Sequence, residues 1–297
     1  MKYLPALLAI NSLLIVGLQH QKASATTLYS GTGLPENQSP QWLAPGAIDS
    51  NGFPIATFNA TTGTDGVTVQ TDNIDSSPGA TATSGYLGYS NYTADTSNPF
   101  DIKLELVNPS FPILNADDGY SVFFNLAVNP LLENDPNRAS FGVIAISSDK
   151  TKGIELNFEA DLVFAQSEAD SGSGFSEFTR AENAPVDTSV SRNYELKIQN
   201  STYELFADNT FLLTGNLRDY EFDADNSEPP LPFNPYETPN LLFLGDSTDQ
   251  AAGSFTLGEV RVEADASVST PEFSPIVALS LLGVGMGASK LAQKNKF

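Results

Sequence analysis

The sequence predicts an all-β protein: one antiparallel sandwich over residues 26–265 of a 297-residue chain, with an export signal before it and an apolar tail after it. Three observations carry that expectation. Apolar and polar residues alternate with a period of two through segment after segment, as in "FDIKLELV" and "DGYSVFFNLAV", which lays one face of a strand on a core and turns the other to water. Gly, Pro, Asn and Asp punctuate these runs at short intervals, where turns require them. No stretch of the body repeats apolar residues at helical spacing.

The elements follow in chain order. "MKYLPALLAINSLLIVGLQHQKASA" places Lys2 before an uncharged run from Leu4 to Leu18 and ends on Ala23-Ser24-Ala25. That is the order of a secretory signal, cleaved after Ala25; Asn11 and Ser12 interrupt the run, which is too short to span a bilayer comfortably. From Thr26 to about Thr96 the chain is rich in Gly, Ser, Thr, Asn and Pro, with apolar islands that read as short strands. In "FDIKLELV" Phe100, Ile102, Leu104 and Leu106 share a side, and in "DGYSVFFNLAV" Tyr120, Val122, Phe124, Leu126 and Val128 do. "RASFGVIAIS" is apolar throughout, as a strand buried on both faces would be. "GIELNFEADLVF" reads as one strand with Ile154, Leu156, Phe158, Ala160, Leu162 and Phe164 inward. Glu155, Asn157, Glu159 and Asp161 then form its other face. "NYELKIQNSTYELFADNTFLLTG" is a meander turning at Gln199-Asn200-Ser201 and at Asp208-Asn209. In "SFTLGEVRVEAD" Phe255 and Leu257 fall out of phase with Val260 and Val262, and a bulge at Gly258-Glu259 restores their facing. At least nine strands without an amphipathic helix make a jelly-roll sandwich the economical architecture.

Composition excludes several functions. The body from Thr26 to Thr270 carries 9 Lys+Arg against 35 Asp+Glu, a net of −26, and such a field repels phosphate backbones, so nucleic acid is not a partner. Cysteine is absent, and the single histidine, His20, lies in the segment removed on export. A chain without thiol or imidazole offers no cysteine nucleophile, no Ser-His-Asp triad and no zinc site built on His or Cys.

Phe273 to Ser289 is an uncharged stretch of Leu, Val, Gly and Ala followed by Lys290, Lys294 and Lys296. As a helix it would reach about 25 Å, slightly short of a ~30 Å hydrocarbon core, with lysines marking the cytoplasmic end. Pro271-Glu272, the apolar segment (273–289) and the basic end (290–297) together resemble the PEP-CTERM sorting signal of exosortase-bearing Gram-negative bacteria. Phe273 stands where that motif has its second proline. The resemblance implies an exported protein, held transiently in the inner membrane by its tail, then cut by an exosortase-type protease and passed to the cell surface. A plain C-terminal anchor is the alternative. Within the body, "NADDGYSVFFNLAV", the meander and "FTLGEVRV" resemble the concanavalin-type lectin and laminin-G group. "PYETPNLLFLGDSTDQAAGSFTLGEVRV" before a sorting tail is similar to the choice-of-anchor modules of secreted bacterial proteins. The group spans lectins, adhesins and glycan hydrolases alike.

Three constellations are candidates for a site. Glu155, Glu159 and Asp161 would supply nucleophile and acid if the chain cleaved glycans, but Asn157 sits where a middle carboxylate would lie, and a solvated strand face explains the pattern as well. "NADDG" (Asp117, Asp118) and "GDSTD" (Asp246, Asp249) cluster oxygen donors that suit calcium; ordinary turn chemistry explains them equally. No cofactor is required otherwise. Tyr86, Tyr89 and Tyr92 in "GYLGYSNY" offer rings for stacking on sugars, or form a core edge. The leading expectation is a non-enzymatic β-sandwich of the cell surface or extracellular matrix that binds polysaccharide or builds matrix. A carboxylate-dependent glycan hydrolase or lyase and a purely structural envelope protein are the alternatives.

Overall fold

A computed structural model describes residues 24–49, 59–71, 84–95, 103–133, 135–170, 176–224, 233–248 and 251–264. Their strands are β1 (Ser24–Ser30), β2 (Ala44–Asp49), β3 (Ala60–Thr62), β4 (Val67–Gln70), β5 (Ser84–Ser90) and β6 (Tyr92–Asp95). β7 (Lys103–Leu106), β8 (Tyr120–Glu133), β9 (Gly142–Ile146), β10 (Gly153–Phe158), β11 (Leu162–Asp170) and β12 (Ser176–Pro185) follow. β13 (Arg192–Gln199), β14 (Thr202–Ala207), β15 (Thr210–Asn216), β16 (Leu242–Asp246) and β17 (Ala251–Ala264) complete the set. Among the described residues no helix is long and apolar enough to cross a membrane. The tail containing Pro271 and Glu272, and the leader up to residue 23, lie outside them.

All pairings are antiparallel. One sheet runs β15-β14-β13-β8-β17-β4-β3, with β1 also on β17; the second runs β12-β11-β10-β9-β16-β5-β2. β6 and β7 form a separate ribbon, so Lys103 to Leu106 belong to neither main sheet, although they keep the expected alternation of exposure; Phe100 and Ile102 lie outside the described residues.

The period-two pattern explains why the two sheets form one sandwich. Val122, Phe124 and Leu126 of β8 join Ile154, Leu156 and Phe158 of β10 in a single buried cluster. Phe124 stacks on Tyr194 at 5.3 Å between centroids and meets Phe158 edge-on at 5.9 Å. Each such ring removes enough apolar surface from water to stabilise the fold by roughly 2 kcal/mol. Asn200, Asp208 and Asn209 take positive φ at the two meander turns, a conformation their short side chains tolerate better than most. β17 shifts register against β8 between Leu257 and Val260, as the phase break requires. Gly258 permits the bulge, because a Cβ there would lie 2.7 Å from Asn125 Oδ1.

"GIELNFEADLVF" is a hairpin, not one strand. β10 ends at Phe158, the Glu159 N–H donates to the Leu162 carbonyl at 2.8 Å, and β11 returns with Val163 opposite Phe158. Apolar residues keep their two-residue spacing in the sequence through the turn, but the four residues between Phe158 and Val163 shift the phase: Leu156 and Phe158 share the core with Val163 and Ala165, while Phe164 stands opposite Asn157 on the other face. The turn parts Glu159 and Asp161 from the face that carries Glu155.

Candidate functional site

The two outer faces of the sandwich differ. On the second sheet, the side chains of β9, β10 and β16 that point away from the core are covered by the chain between β15 and β16. Tyr220, Tyr236 and Leu241 of that excursion bury Ile144 and Ile146. Phe178, Phe222 and Tyr236 pack as a ring cluster with centroids 5.4 to 6.1 Å apart. The excursion is also wired into the sheet. Gly153 bridges to Arg218 at the start of β10, where β11 no longer pairs. The Tyr220 hydroxyl enters that gap, accepting the Glu155 N–H and donating to the Gln166 carbonyl, each at 3.0 Å.

Beneath this cover lies a buried polar network. Glu155, Asn157 and Gln166 have no exposed surface, and Arg138 is 6% exposed. Glu155 Oε1 accepts from Ser247 Oγ at 2.9 Å and from Asn157 Nδ2 at 3.3 Å, with Arg138 Nη1 at 3.5 Å; Oε2 accepts the Tyr236 hydroxyl. Arg138 also donates to the Ser247 carbonyl at 2.5 Å and to Gln166 Oε1 at 3.3 Å, and lies 4.4 Å over the Phe178 ring. Burial, and then the Glu155 charge, push the Tyr236 phenol well above its usual range, which keeps it a proton donor to the carboxylate. Both carboxylate oxygens are therefore occupied by protein groups. The arrangement locks cover to sheet and is organised as structure, not as a substrate cleft.

The sequence-predicted residues are scattered. Glu155 and Asn157 do not form a solvated face; the cover buries them. Glu159 is bound at both carboxylate oxygens by Arg180 of β12, and Asp161 is exposed in the hairpin turn. Tyr89 is wholly buried in the main core. Tyr92 packs on the opposite side of the second sheet, against the smaller cluster, and donates to the Pro239 carbonyl at 2.7 Å. They share no surface: Tyr89 belongs to β5 and the main core, Tyr92 to β6 and the smaller cluster; the Tyr86 side chain lies outside the described set. Asp117 pairs with Lys152 at 2.6 Å, and Asp118 accepts from Asn115 Nδ2 at 2.6 Å. Asp246 is buried, accepting the Thr248 N–H at 3.0 Å, and Asp249 lies outside the described residues. Among the described residues no group of three or more His, Cys, Asp or Glu is placed to hold a metal ion.

Sequence reasoning missed Arg138, Gln166, Tyr220, Tyr236 and Ser247. The available signal was "YEFDADNSEPPLPFNPYETPN", whose aromatic residues amid turn formers mark a covering segment.

The outer face of the first sheet carries exposed and half-exposed side chains, many of them polar. Asn193 and Asn125 stand opposite each other, Nδ2 of Asn125 donating to Oδ1 of Asn193 at 3.2 Å. Ser121 donates to Glu195 at 3.3 Å, and Thr68 and Thr256 bond across strands at 2.9 Å.

No family model matches the chain, and no curated protein matches it significantly. Solved structures do. The carbohydrate esterase vb_24B_21 of the Shiga toxin-encoding bacteriophage phi24B is similar over 82% of this chain and 100% of its own, at 11% identity and a TM-score of 0.45. A family 7 alginate lyase, A1-II', solved with substrate, is similar over 80% and 99%, at 12% and 0.42. The carbohydrate-binding module CBM66 of Bacillus subtilis is similar over 74% and 96%, at 12% and 0.36.

Proposed function

We propose that this chain is an exported, non-catalytic β-sandwich of jelly-roll type that holds polysaccharide at the cell surface or in the extracellular matrix. One observation carries the reading: the face bearing the buried Glu155 is sealed by its own protein partners, while the opposite face is open and lined with amides, hydroxyls and carboxylates. Such groups recognise sugar hydroxyls. A hydrolase built on Glu155, Glu159 and Asp161 is disfavoured, since the first is sealed and the second ion-paired. In this reading the leader is removed after Ala25, which leaves Thr26 to Ser30 of β1 paired with β17. The tail beyond Pro271-Glu272 serves sorting through an exosortase-type protease.

A glycan array on the purified protein, run beside a reducing-end assay on the same polysaccharides, tests the proposal. Retention without release is expected. Release of new reducing ends would establish an enzyme, and retention on no glycan would end the binding reading.

A further inference from the structure

Strand register places six outward-facing residues of the first sheet in one line across the strands. Phe211 of β15 is opposite Phe206 of β14, which is opposite Glu195 of β13. Glu195 is opposite Phe123 of β8, Phe123 opposite Arg261 of β17, and Arg261 opposite Thr27 of β1. Phe206 and Phe211 meet edge-on at 5.8 Å, and Phe211 is 51% exposed. The Arg261 guanidinium lies 3.6 Å over the Phe123 ring, held by Glu263 at 2.6 Å and Glu259 at 3.9 Å.

We infer that this row is a binding site for a neutral, extended polysaccharide lying perpendicular to the strands. The inference rests on the glycan-binding reading above and gives it a place and a ligand class. At about 4.8 Å per strand, the five strands from Phe211 to Arg261 span about 19 Å, room for several sugar rings in line. The Phe206–Phe211 pair offers an apolar platform to the C–H face of one ring. One strand on from Phe206 the Glu195 carboxylate accepts from sugar hydroxyls, and two strands further the Arg261 N–H groups donate to them. The sequence of platform, acceptor and donor matches a chain with apolar faces and hydroxyl edges. Charge sets the class. Glu195, Glu204, Glu259 and Glu263 face outward here against Lys197 and Arg261, and Arg261 is already flanked by two of those carboxylates. A polyuronate would meet uncompensated like charge. Phe residues scattered over a surface mean little; rings in register with an acid and a base across five strands form a ligand track.

Affinity electrophoresis of the full chain tests this, with laminarin, hydroxyethyl cellulose and a neutral galactan as probes and alginate as the polyanion. The wild type should be retarded by a neutral polymer and not by alginate. Phe211→Ala and Phe206→Ala should each weaken binding about tenfold, and Glu195→Gln, which keeps shape and fold, should weaken it as well. Glu237→Gln, exposed on the covering excursion, should change nothing. Retardation of the wild type with all three row variants unaffected would refute the row and leave the glycan reading intact. Retardation by alginate would overturn the neutral class. Retardation by no polymer would remove the glycan reading itself. A dimer in light scattering that dissociates on Phe211→Asp would make the row a self-contact and refute the inference.

Discussion

Replacing Glu155 by glutamine separates a structural carboxylate from a surface one. The side chain has no exposed area and faces Arg138, which is 6% exposed. Removing one partner of a buried ion pair costs about 3–5 kcal/mol. The amide oxygen can still accept one neutral hydrogen bond, recovering about 1 kcal/mol. Its NH2 group, however, confronts donors from Asn157 or Tyr236 that the carboxylate accepted. A net loss of about 3 kcal/mol is expected, or about 6–12 °C in Tm for a body of this size. Glu159→Gln is the comparison: its side chain is 12% exposed and its Arg180 partner 26%, so this more accessible pair should cost less than Glu155→Gln. The assay is thermal unfolding followed by circular dichroism. In a double-mutant cycle, Arg138→Met should cost less in the Glu155→Gln background than alone. A Glu155→Gln protein melting within about 2 °C of wild type would refute the claim that this network locks cover to sheet.

Tyr220→Phe should cost about 1–3 kcal/mol in the same melts, because it strips the Glu155 N–H and the Gln166 carbonyl of their shared hydroxyl; an unchanged Tm would show that the opened ladder closes without it. Gly245→Ala should abolish soluble expression, since its Cβ would lie 2.3 Å from Gly88 Cα and 2.4 Å from the Leu87 carbonyl oxygen; a folded variant with wild-type spectra would contradict the close strand approach. Burial, reinforced for Tyr29 by the Glu36 charge, pushes the Tyr29 and Tyr194 phenols up to about 12, whereas unfolded tyrosine titrates near about 10. The stability this contributes is complete below about pH 10 and is lost as pH rises toward about 12, so phenolate absorbance and unfolding should appear together in that interval. Ionisation of every tyrosine near pH 10 without unfolding would oppose it.

The sandwich was legible because its strands alternate: β8, β13 and β14 bury the residues that the period of two selects, and even the β17 bulge is written in a phase break. The site was not legible for the same reason. Glu155 and Asn157 alternate with apolar neighbours whether their face meets water or a distant segment, and the Tyr220 and Tyr236 that cover them lie 65 and 81 residues further along the chain. The single-strand reading of "GIELNFEADLVF" failed because Ala160 and Leu162 are apolar at the expected spacing although neither belongs to the core, whose residues in β11 are Val163 and Ala165.

β17 is the last described strand and sits inside the first sheet, with β8 on one side and both β4 and β1 on the other. A nascent chain therefore has no such sheet to close until residues 251–264 have been made. β1 and β4 wait without their shared neighbour, and the long-range pairing of Ser24 with Ala264 comes among the last. Vectorial synthesis thus leaves β8, β4 and β1 without their common neighbour until the last described residues emerge, while the β13–β14–β15 meander can pair earlier.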